Sequence, residues 1–282
     1  MDKEFNAKAV HILPEAWTLI IAGLLAVMIL ESKVEVQVIT QFPETPVGAT
    51  MNMTVFVVMM AAMATLMYLL VKFGLEKIFR AIFKVAIVLV LFVLLVWYLS
   101  TFASLLKIPQ VLADTPITVF SLLLASIMTY TINRMKGIPQ LLSITFLGAM
   151  VGTFLGASIP TLTAIVLLLG LACYDIFAVF KGPIGKIAER TDLENLSGAT
   201  LTFGDLTVGL GDLVFYSMLA SHAMLSFGFI TYVMAFAGII VGTYLGFRML
   251  ERRSTFPGLP FSLILGLAFM LLTIFLKDLL LP

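Results

Sequence analysis

The stretch Pro160–Phe180 reads PTLTAIVLLLGLACYDIFAVF and contains a single charged residue, Asp175. An apolar run of about 20 residues is long enough to cross the hydrocarbon core of a bilayer as a helix. Further along the chain, Leu206–Ser221 reads LTVGLGDLVFYSMLAS and again contains one charged residue, Asp212. A carboxylate at membrane depth costs roughly 2.5–3.5 kcal/mol on insertion scales, so two of them on consecutive spans require a functional reason.

The composition of the whole chain defines its class. Of the 282 residues, 61% are hydrophobic and 12% are charged, and one apolar run follows another. These values predict an all-α polytopic membrane protein, with the lipid bilayer as its surroundings. The net charge of +1, without any basic arm or polar domain, argues against nucleic acid as a partner.

Apolar segments that are separated by charges, prolines or polar clusters predict nine transmembrane spans. We expect residues 1–282 to form one membrane-embedded domain. The predicted spans are Trp17–Leu30, Ala49–Val71, Ala81–Phe102, Pro116–Ile132, Ile138–Ser158, Pro160–Phe180, Leu206–Ser221, Phe227–Phe247 and Pro260–Leu281.

The basic residues predict how these spans are oriented. Assigned to the segments between spans, the 17 Lys and Arg residues divide as 14 on one side of the membrane and 3 on the other. Because basic residues accumulate in cytoplasmic segments, the N-terminus is predicted to be cytoplasmic and the C-terminus to be outside. An odd number of spans agrees with this alternation.

The two aspartates are predicted to face each other. Asp175 lies six residues before Lys181 at the cytoplasmic end of the sixth span, and Asp212 lies six residues after Leu206 on the seventh. The other fourteen acidic residues are assigned to tails, connecting segments or span ends. Two facing carboxyl groups in a low-dielectric site tend to share one proton. Such a pair can activate water as a general base and protonate a leaving group as a general acid, without a metal or organic cofactor.

Two further motifs lie near the aspartates in the predicted topology. Gly209 and Gly211 flank Leu210 just before Asp212, and they either leave room for an extended peptide or serve as a close helix contact. The segment Pro257-Gly258-Leu259-Pro260 precedes the ninth span. Its two prolines predict irregular backbone, although proline in the first turn of an ordinary helix is the simpler interpretation.

Taken together, these motifs resemble those of a known family. Tyr174-Asp175, Gly209-Leu210-Gly211-Asp212 and Pro257-Gly258-Leu259 are similar to the Tyr-Asp, Gly-x-Gly-Asp and Pro-Ala-Leu signatures of the presenilin and signal peptide peptidase family. The resemblance implies an intramembrane aspartyl protease, with Asp175 and Asp212 as the catalytic pair and with substrate bound near Tyr174 and the two glycine-containing motifs. Gly258 departs from the pattern, since the family usually has Ala there.

The resemblance also implies partners and a location. Substrates would be proteins with transmembrane helices, and the cytoplasmic N-terminus fits a presenilin-type member. The brevity of the chain suggests a microbial homologue in a prokaryotic cell membrane. The natural substrate, the cleavage position and the oligomeric state stay open.

The sequence also bears on functions other than proteolysis. The only histidines are His11 and His222, so a His-Glu-x-x-His zinc site is excluded. The alternative from another class is a proton- or cation-coupled transporter, in which paired carboxylates bind the coupling ion. Glycines that recur every four residues on the fifth and eighth spans predict close helix packing; they are Gly148, Gly152, Gly156, Gly238, Gly242 and Gly246.

Overall fold

The structure is a computed structural model that describes residues 8–180, 200–203, 206–251 and 257–280 of the chain. A short 3₁₀ helix, Ala9–Ile12, leads into the first long helix. The helices are α1 Leu13–Ser32, α2 Pro46–Lys72, α3 Glu76–Leu105, α4 Gln110–Arg134, α5 Ile138–Ser158, α6 Thr161–Phe180, α7 Leu210–Phe227, α8 Phe229–Leu250 and α9 Leu259–Leu280. Two strands, β1 Thr200–Phe203 and β2 Leu206–Gly209, lie before α7.

The predicted number of spans and the all-α class are confirmed. In the described ranges, nine helices are long and apolar enough to cross a membrane, which makes the chain an integral multi-pass membrane protein. The one addition is a small antiparallel hairpin, in which Thr200 of β1 lies opposite Gly209 of β2. Which ends of the helices face the cytoplasm stays a prediction.

The predicted bounds of the seventh span were wrong at both ends. Residues 206–209 form strand β2, and the helix begins only at Leu210. Thr207 and Val208 are β-branched and favour a strand, and Gly209 keeps an extended conformation as the residue before the helix (φ −74°, ψ 138°). The helix runs past Ser221 to Phe227, where Gly228 ends it at φ 88°.

Three other spans begin four to six residues earlier than predicted. α3 starts at Glu76 rather than at Ala81. α1 starts at Leu13 rather than at Trp17, because Pro14 is suited to the first turn of a helix. α4 starts at Gln110, so Pro116 lies inside the helix instead of at its start. The remaining bounds agree within a few residues, and Leu281, the predicted end of the ninth span, lies outside the described residues.

Helix α7 occupies the centre of the molecule. It packs against α1, α5, α6, α8 and α9, and most of its side chains from Leu213 to Met224 are buried. It is also the least apolar of the nine spans, with a mean hydropathy of 1.2. Protein rather than lipid surrounds this helix, so it tolerates buried polar residues that find partners, such as His222, whose Nδ1 lies 2.8 Å from the Gly156 carbonyl oxygen.

Glycines set the close helix contacts, as predicted for five of the six. A Cβ on Gly156 of α5 would lie 2.7 Å from the Met218 carbonyl oxygen of α7, and Gly148 and Gly152 are similarly close to that helix. On α8, Gly238 and Gly242 lie against the backbone of α9. For Gly246, a Cβ would meet no atom of the described residues within 4 Å, so its place on this face stays a prediction.

Candidate active site

Asp175 lies on α6, five residues before the helix ends at Phe180, and is half-buried. Its Oδ2 accepts a hydrogen bond of 3.2 Å from the backbone N–H of Leu259. Leu259 is the first residue of α9, so this N–H has no partner within its own helix. The positive end of the α9 dipole therefore faces the Asp175 carboxyl group.

Asp212 also lies at a helix N-terminus. It is the third residue of α7 rather than six residues into a span, because α7 begins later than predicted. Its carboxyl group accepts a hydrogen bond from the backbone N–H of Gly209, the residue that precedes the helix. This is the acidic half of a capping box, in which the side chain of the third helical residue reaches back to the start of the helix.

The two aspartates lie against the same dipeptide. The Leu259 N–H binds Asp175, and a Cβ on the neighbouring Gly258 would lie 3.2 Å from Oδ2 of Asp212. The two carboxyl groups are close enough to interact electrostatically. The structure thus brings together three elements that the sequence separates, α6, α7 and the start of α9.

Tyr216 connects α7 to this dipeptide. Its hydroxyl donates a hydrogen bond of 3.1 Å to the carbonyl oxygen of Gly258. Tyr216 was not predicted from the sequence. Its spacing of four residues from Asp212 places both on one face of α7, which is the signal that could have found it.

The other predicted site residues lie around the aspartates in different ways. Gly211 and Gly258 are exposed, and among the described residues a Cβ on Gly211 would meet only Phe215, at 4.0 Å. Pro257 is buried. The side chain of Leu210 points toward α5, where its Cδ1 lies 3.7 Å from the position of a Cβ on Gly148. The exposed glycines leave the backbone next to Asp212 accessible.

Tyr174 faces a groove between α2 and α6. The groove has a volume of about 560 Å³, and Met53 and Val57 of α2 form one wall, with Tyr174 and Phe177 of α6 on the other. Its lining is almost entirely apolar. Tyr174 therefore extends the site from Asp175 toward a surface that can accept an apolar helix.

A third buried carboxyl group lies near the pair and was missed. Glu15 of α1 is 1% exposed and interacts electrostatically with Asp212. Glu15 was predicted to lie before the first span, because that span was predicted to start at Trp17. Pro14 is the signal that could have placed Glu15 inside the first helical turn. Among the described residues, no group of three or more His, Cys, Asp or Glu side chains has the geometry of a metal site.

The chain is similar to known proteins in part of its sequence. The Presenilin family model matches residues 194–281. Presenilin-B of Dictyostelium discoideum is 33% identical over 124 residues, which cover 39% of this chain and 25% of that protein. The match therefore spans about a quarter of the length of this relative.

Solved structures match over almost the whole chain. A presenilin family intramembrane aspartate protease, solved in the C222 space group, superimposes with a TM-score of 0.66 at 19% identity and covers 94% of this chain and 97% of that one. A structure of such a protease in the P2 space group gives 0.64 at 17% identity, with the same coverage. At this identity the likeness shows a shared fold.

The fold and the site define a polytopic helical membrane protein with an aspartate pair held between its sixth and seventh spans and the start of its ninth. Its carboxy-terminal sequence matches the Presenilin family model, and its whole-chain fold matches a presenilin family structure. The chain is thus similar to presenilins in its carboxy-terminal sequence and to a presenilin family protease in its fold.

Proposed function

We propose that the protein is an intramembrane aspartyl protease that hydrolyses peptide bonds within transmembrane segments of other membrane proteins. The observation that carries this proposal is the placement of Asp175 and Asp212 against one dipeptide, Gly258–Leu259, where their carboxyl groups interact. Facing carboxyl groups with a single shared proton supply both an acid and a base.

The reaction follows from this pairing. The ionised aspartate removes a proton from a water molecule as the water attacks the peptide carbonyl carbon, and the protonated aspartate polarises the carbonyl oxygen. The same carboxyl groups then return a proton to the leaving nitrogen. Backbone N–H groups of Leu259 and Gly209 orient the two side chains, so neither has to reorganise during the step.

The substrate is proposed to be a transmembrane helix that becomes locally extended near Asp212. Exposed Gly211 and Gly258 offer backbone without side chains, and the apolar groove beside Tyr174 fits a helix arriving from lipid. We infer that residues 1–282 act as one membrane-embedded unit. The prokaryotic cell membrane stays our prediction for its location.

The test is cleavage of a single-span reporter by purified protein in lipid vesicles, with products mapped by mass spectrometry. Asp175→Asn and Asp212→Asn should each lower the cleavage rate by at least about a hundredfold, because general acid–base catalysis contributes about 10²–10⁴. The matched control is Asp114→Asn, which changes an exposed aspartate of α4 and should cleave at the wild-type rate. A transition-state mimic with a hydroxyl in place of the scissile carbonyl should inhibit the reaction.

A near wild-type rate for either active-site variant would contradict the assignment of the pair. The transporter alternative makes a different prediction, namely uptake into vesicles that is driven by a proton or sodium gradient and depends on both aspartates. Uptake without any reporter cleavage would replace the protease proposal.

A further inference from the structure

Helix α3 begins with basic residues that lie on the same face as its buried residues. Further along the helix, residues spaced three and four apart belong to one hydrophobic cluster with α4 and α5; they are Ile87, Leu91, Leu94 and Tyr98. Followed back toward the start of the helix, the same spacing gives Lys84, Arg80 and Lys77, and all three are exposed. Residues at this spacing share one face of a helix. We call these three residues the basic stripe.

The neighbouring helix α4 ends too early to cover the basic stripe. α3 and α4 pack against each other and are joined by a short connection, residues 106–109. Counted from this connection, Arg134 at the end of α4 is level with Ala81 of α3. Lys77 and Arg80 therefore extend past α4. The face of α3 that packs against protein inside the membrane is left open at its first turns.

The charges near the basic stripe are almost all of one sign. Between residues 45 and 113 the sequence contains a single acidic residue, Glu76. Lys72, at the end of α2, and Arg134, at the end of α4, add two more exposed cations to the basic stripe. Like charges that are gathered in this way repel one another. An anion that lies between them converts this repulsion into attraction.

The basic stripe reaches the depth of lipid head groups. Lys84 lies four residues inside the apolar span Arg80–Leu105, which is about 6 Å along the helix axis. A charge inside a span is costly unless its side chain reaches the interface or meets an opposite charge. On another face of the same turns, exposed Ile78, Ile82 and Val85 provide an apolar surface. The start of α3 therefore offers cations to a head group and apolar side chains to acyl chains.

We propose that the basic stripe binds the phosphate head group of an anionic phospholipid, with Lys77 and Lys84 as the side chains that hold it. The lipid belongs to the leaflet on the side where α3 begins, which is predicted to be the cytoplasmic one. Basic clusters next to transmembrane helices on that side attract anionic head groups. The proposal does not rest on the protease function, because neither lysine belongs to an element that carries an aspartate of the pair.

The test is the binding of phosphatidylglycerol to the purified full chain, titrated by native mass spectrometry. Phosphatidylcholine with the same acyl chains is the reference lipid, and wild type should retain it far less than phosphatidylglycerol. Lys77→Gln and Lys84→Gln should each weaken binding of phosphatidylglycerol about fivefold, and the double variant about twenty-five-fold, from the contribution of one lysine near an anionic surface. Lys84→Arg keeps the charge and should bind as wild type does.

The matched control is Arg248→Gln at the end of α8. Arg248 is exposed on the same predicted side of the membrane, and its guanidinium lies 5.9 Å from the centre of the Tyr244 ring. This variant should bind phosphatidylglycerol as tightly as wild type. An equal loss for Arg248→Gln and the two lysine variants would show that binding follows overall charge, which would overturn the proposal. Equal retention of the two lipids by wild type would overturn it as well.

Melting temperatures distinguish a lost site from a damaged fold. Phosphatidylglycerol should raise the melting temperature of wild type, because a ligand of the folded state stabilises it, and should raise that of the double variant less. In phosphatidylcholine the two proteins should melt alike, since both lysines are exposed. A wild-type melting temperature that phosphatidylglycerol does not raise would contradict the site.

A soluble phosphate compound separates a lipid from a free anion. Glycerol phosphate, at the concentration used for the lipid, should neither bind detectably nor change the melting temperature, because it has no acyl chains to lie on the apolar face. If it stabilises wild type as much as phosphatidylglycerol does, the ligand is a free phosphate and the lipid proposal fails. None of these measurements uses cleavage, so failure of the protease proposal would leave their outcome unchanged.

Discussion

The peptide unit between Gly258 and Leu259 forms one hydrogen bond to α7 and one to α6. Its carbonyl oxygen accepts the Tyr216 hydroxyl at 3.1 Å, and its N–H donates to Asp175 at 3.2 Å. Hydrogen bonds that share one peptide unit polarise one another. The bond from Tyr216 therefore makes the Leu259 N–H a stronger donor to Asp175. A residue on α7 thereby influences the carboxyl group on α6 without touching it.

Tyr216→Phe removes this hydroxyl and keeps the ring. A neutral hydrogen bond contributes about 0.5–1.5 kcal/mol, so we expect reporter cleavage to fall about two- to tenfold while the fold persists. The measurement is kcat/KM together with a melting curve. Tyr130→Phe, at an exposed position of α4, should leave both unchanged. Equal kcat/KM for Tyr216→Phe and wild type would show that the hydrogen bond from Tyr216 to Gly258 does not contribute to cleavage.

Gly258 has a local explanation where the resembled family usually has Ala. A Cβ at this position would lie 3.2 Å from Oδ2 of Asp212, a distance at which the carboxyl group would have to shift by a few tenths of an ångström. With glycine, Asp212 lies directly against the backbone of the segment. The position of the Asp212 carboxyl group in this chain therefore depends on the absence of a side chain at Gly258.

At the scale of elements, the start of α9 depends on how closely α8 and α9 pack. Gly242 of α8 lies against the backbone of α9 at Phe261 and Ser262, only two or three residues after Leu259. Thr243 and Ser262 share a hydrogen bond of 2.8 Å in the same region. The glycine contact therefore helps to fix the N–H group that binds Asp175.

Gly242→Ala should loosen this contact. The new Cβ would lie 2.5 Å from the Phe261 carbonyl oxygen, and backbone atoms cannot yield as a flexible side chain does. Overpacking of this kind costs about 1–3 kcal/mol, so the melting temperature in detergent should fall and cleavage should fall with it. Gly246→Ala is the control on the same helix, because a Cβ there would meet no atom of the described residues within 4 Å, and it should be neutral or slightly stabilising. A melting temperature equal to that of wild type for Gly242→Ala would count against close packing there.

At the scale of the whole molecule, three helix N-termini converge on the acidic site. α1 carries Glu15 and α7 carries Asp212, each in the first turn. The first N–H of α9 binds Asp175. Because consecutive spans alternate in direction, these odd-numbered helices run the same way and begin on the same side of the membrane. By the distribution of Lys and Arg, we predict that side to be the cytoplasm.

Cysteine labelling tests this orientation. In a Cys173→Ser background, Lys136→Cys between α4 and α5 should stay unlabelled by a membrane-impermeant maleimide until cells are opened. Lys107→Cys between α3 and α4 should label in intact cells, because the two connections lie on opposite sides of one span. Both lysines are exposed, which makes the pair a matched control. The reverse pattern of labelling would invert the predicted topology.

A sequence singles out most clearly those residues that conflict with their surroundings. Asp175 and Asp212 were identified because a charge within an apolar span is costly wherever the chain folds. Tyr216 and Glu15 were missed for different reasons. A tyrosine in a span is unremarkable until its partner, the Gly258 carbonyl, is known, and Glu15 was assigned to the wrong side of a helix start.

The sequence by itself determined the nine apolar spans and the two spans that carry an acidic residue, because hydropathy and charge are properties of the chain that lipid acts on directly. It could not determine the strand before α7, the burial of Glu15 or the hydrogen bonds that the Gly258–Leu259 peptide unit forms with Tyr216 and Asp175. Those features depend on contacts between residues far apart in the chain, such as Leu259 and Asp175. Only tertiary packing brings their dipoles and carboxyl groups close enough to interact.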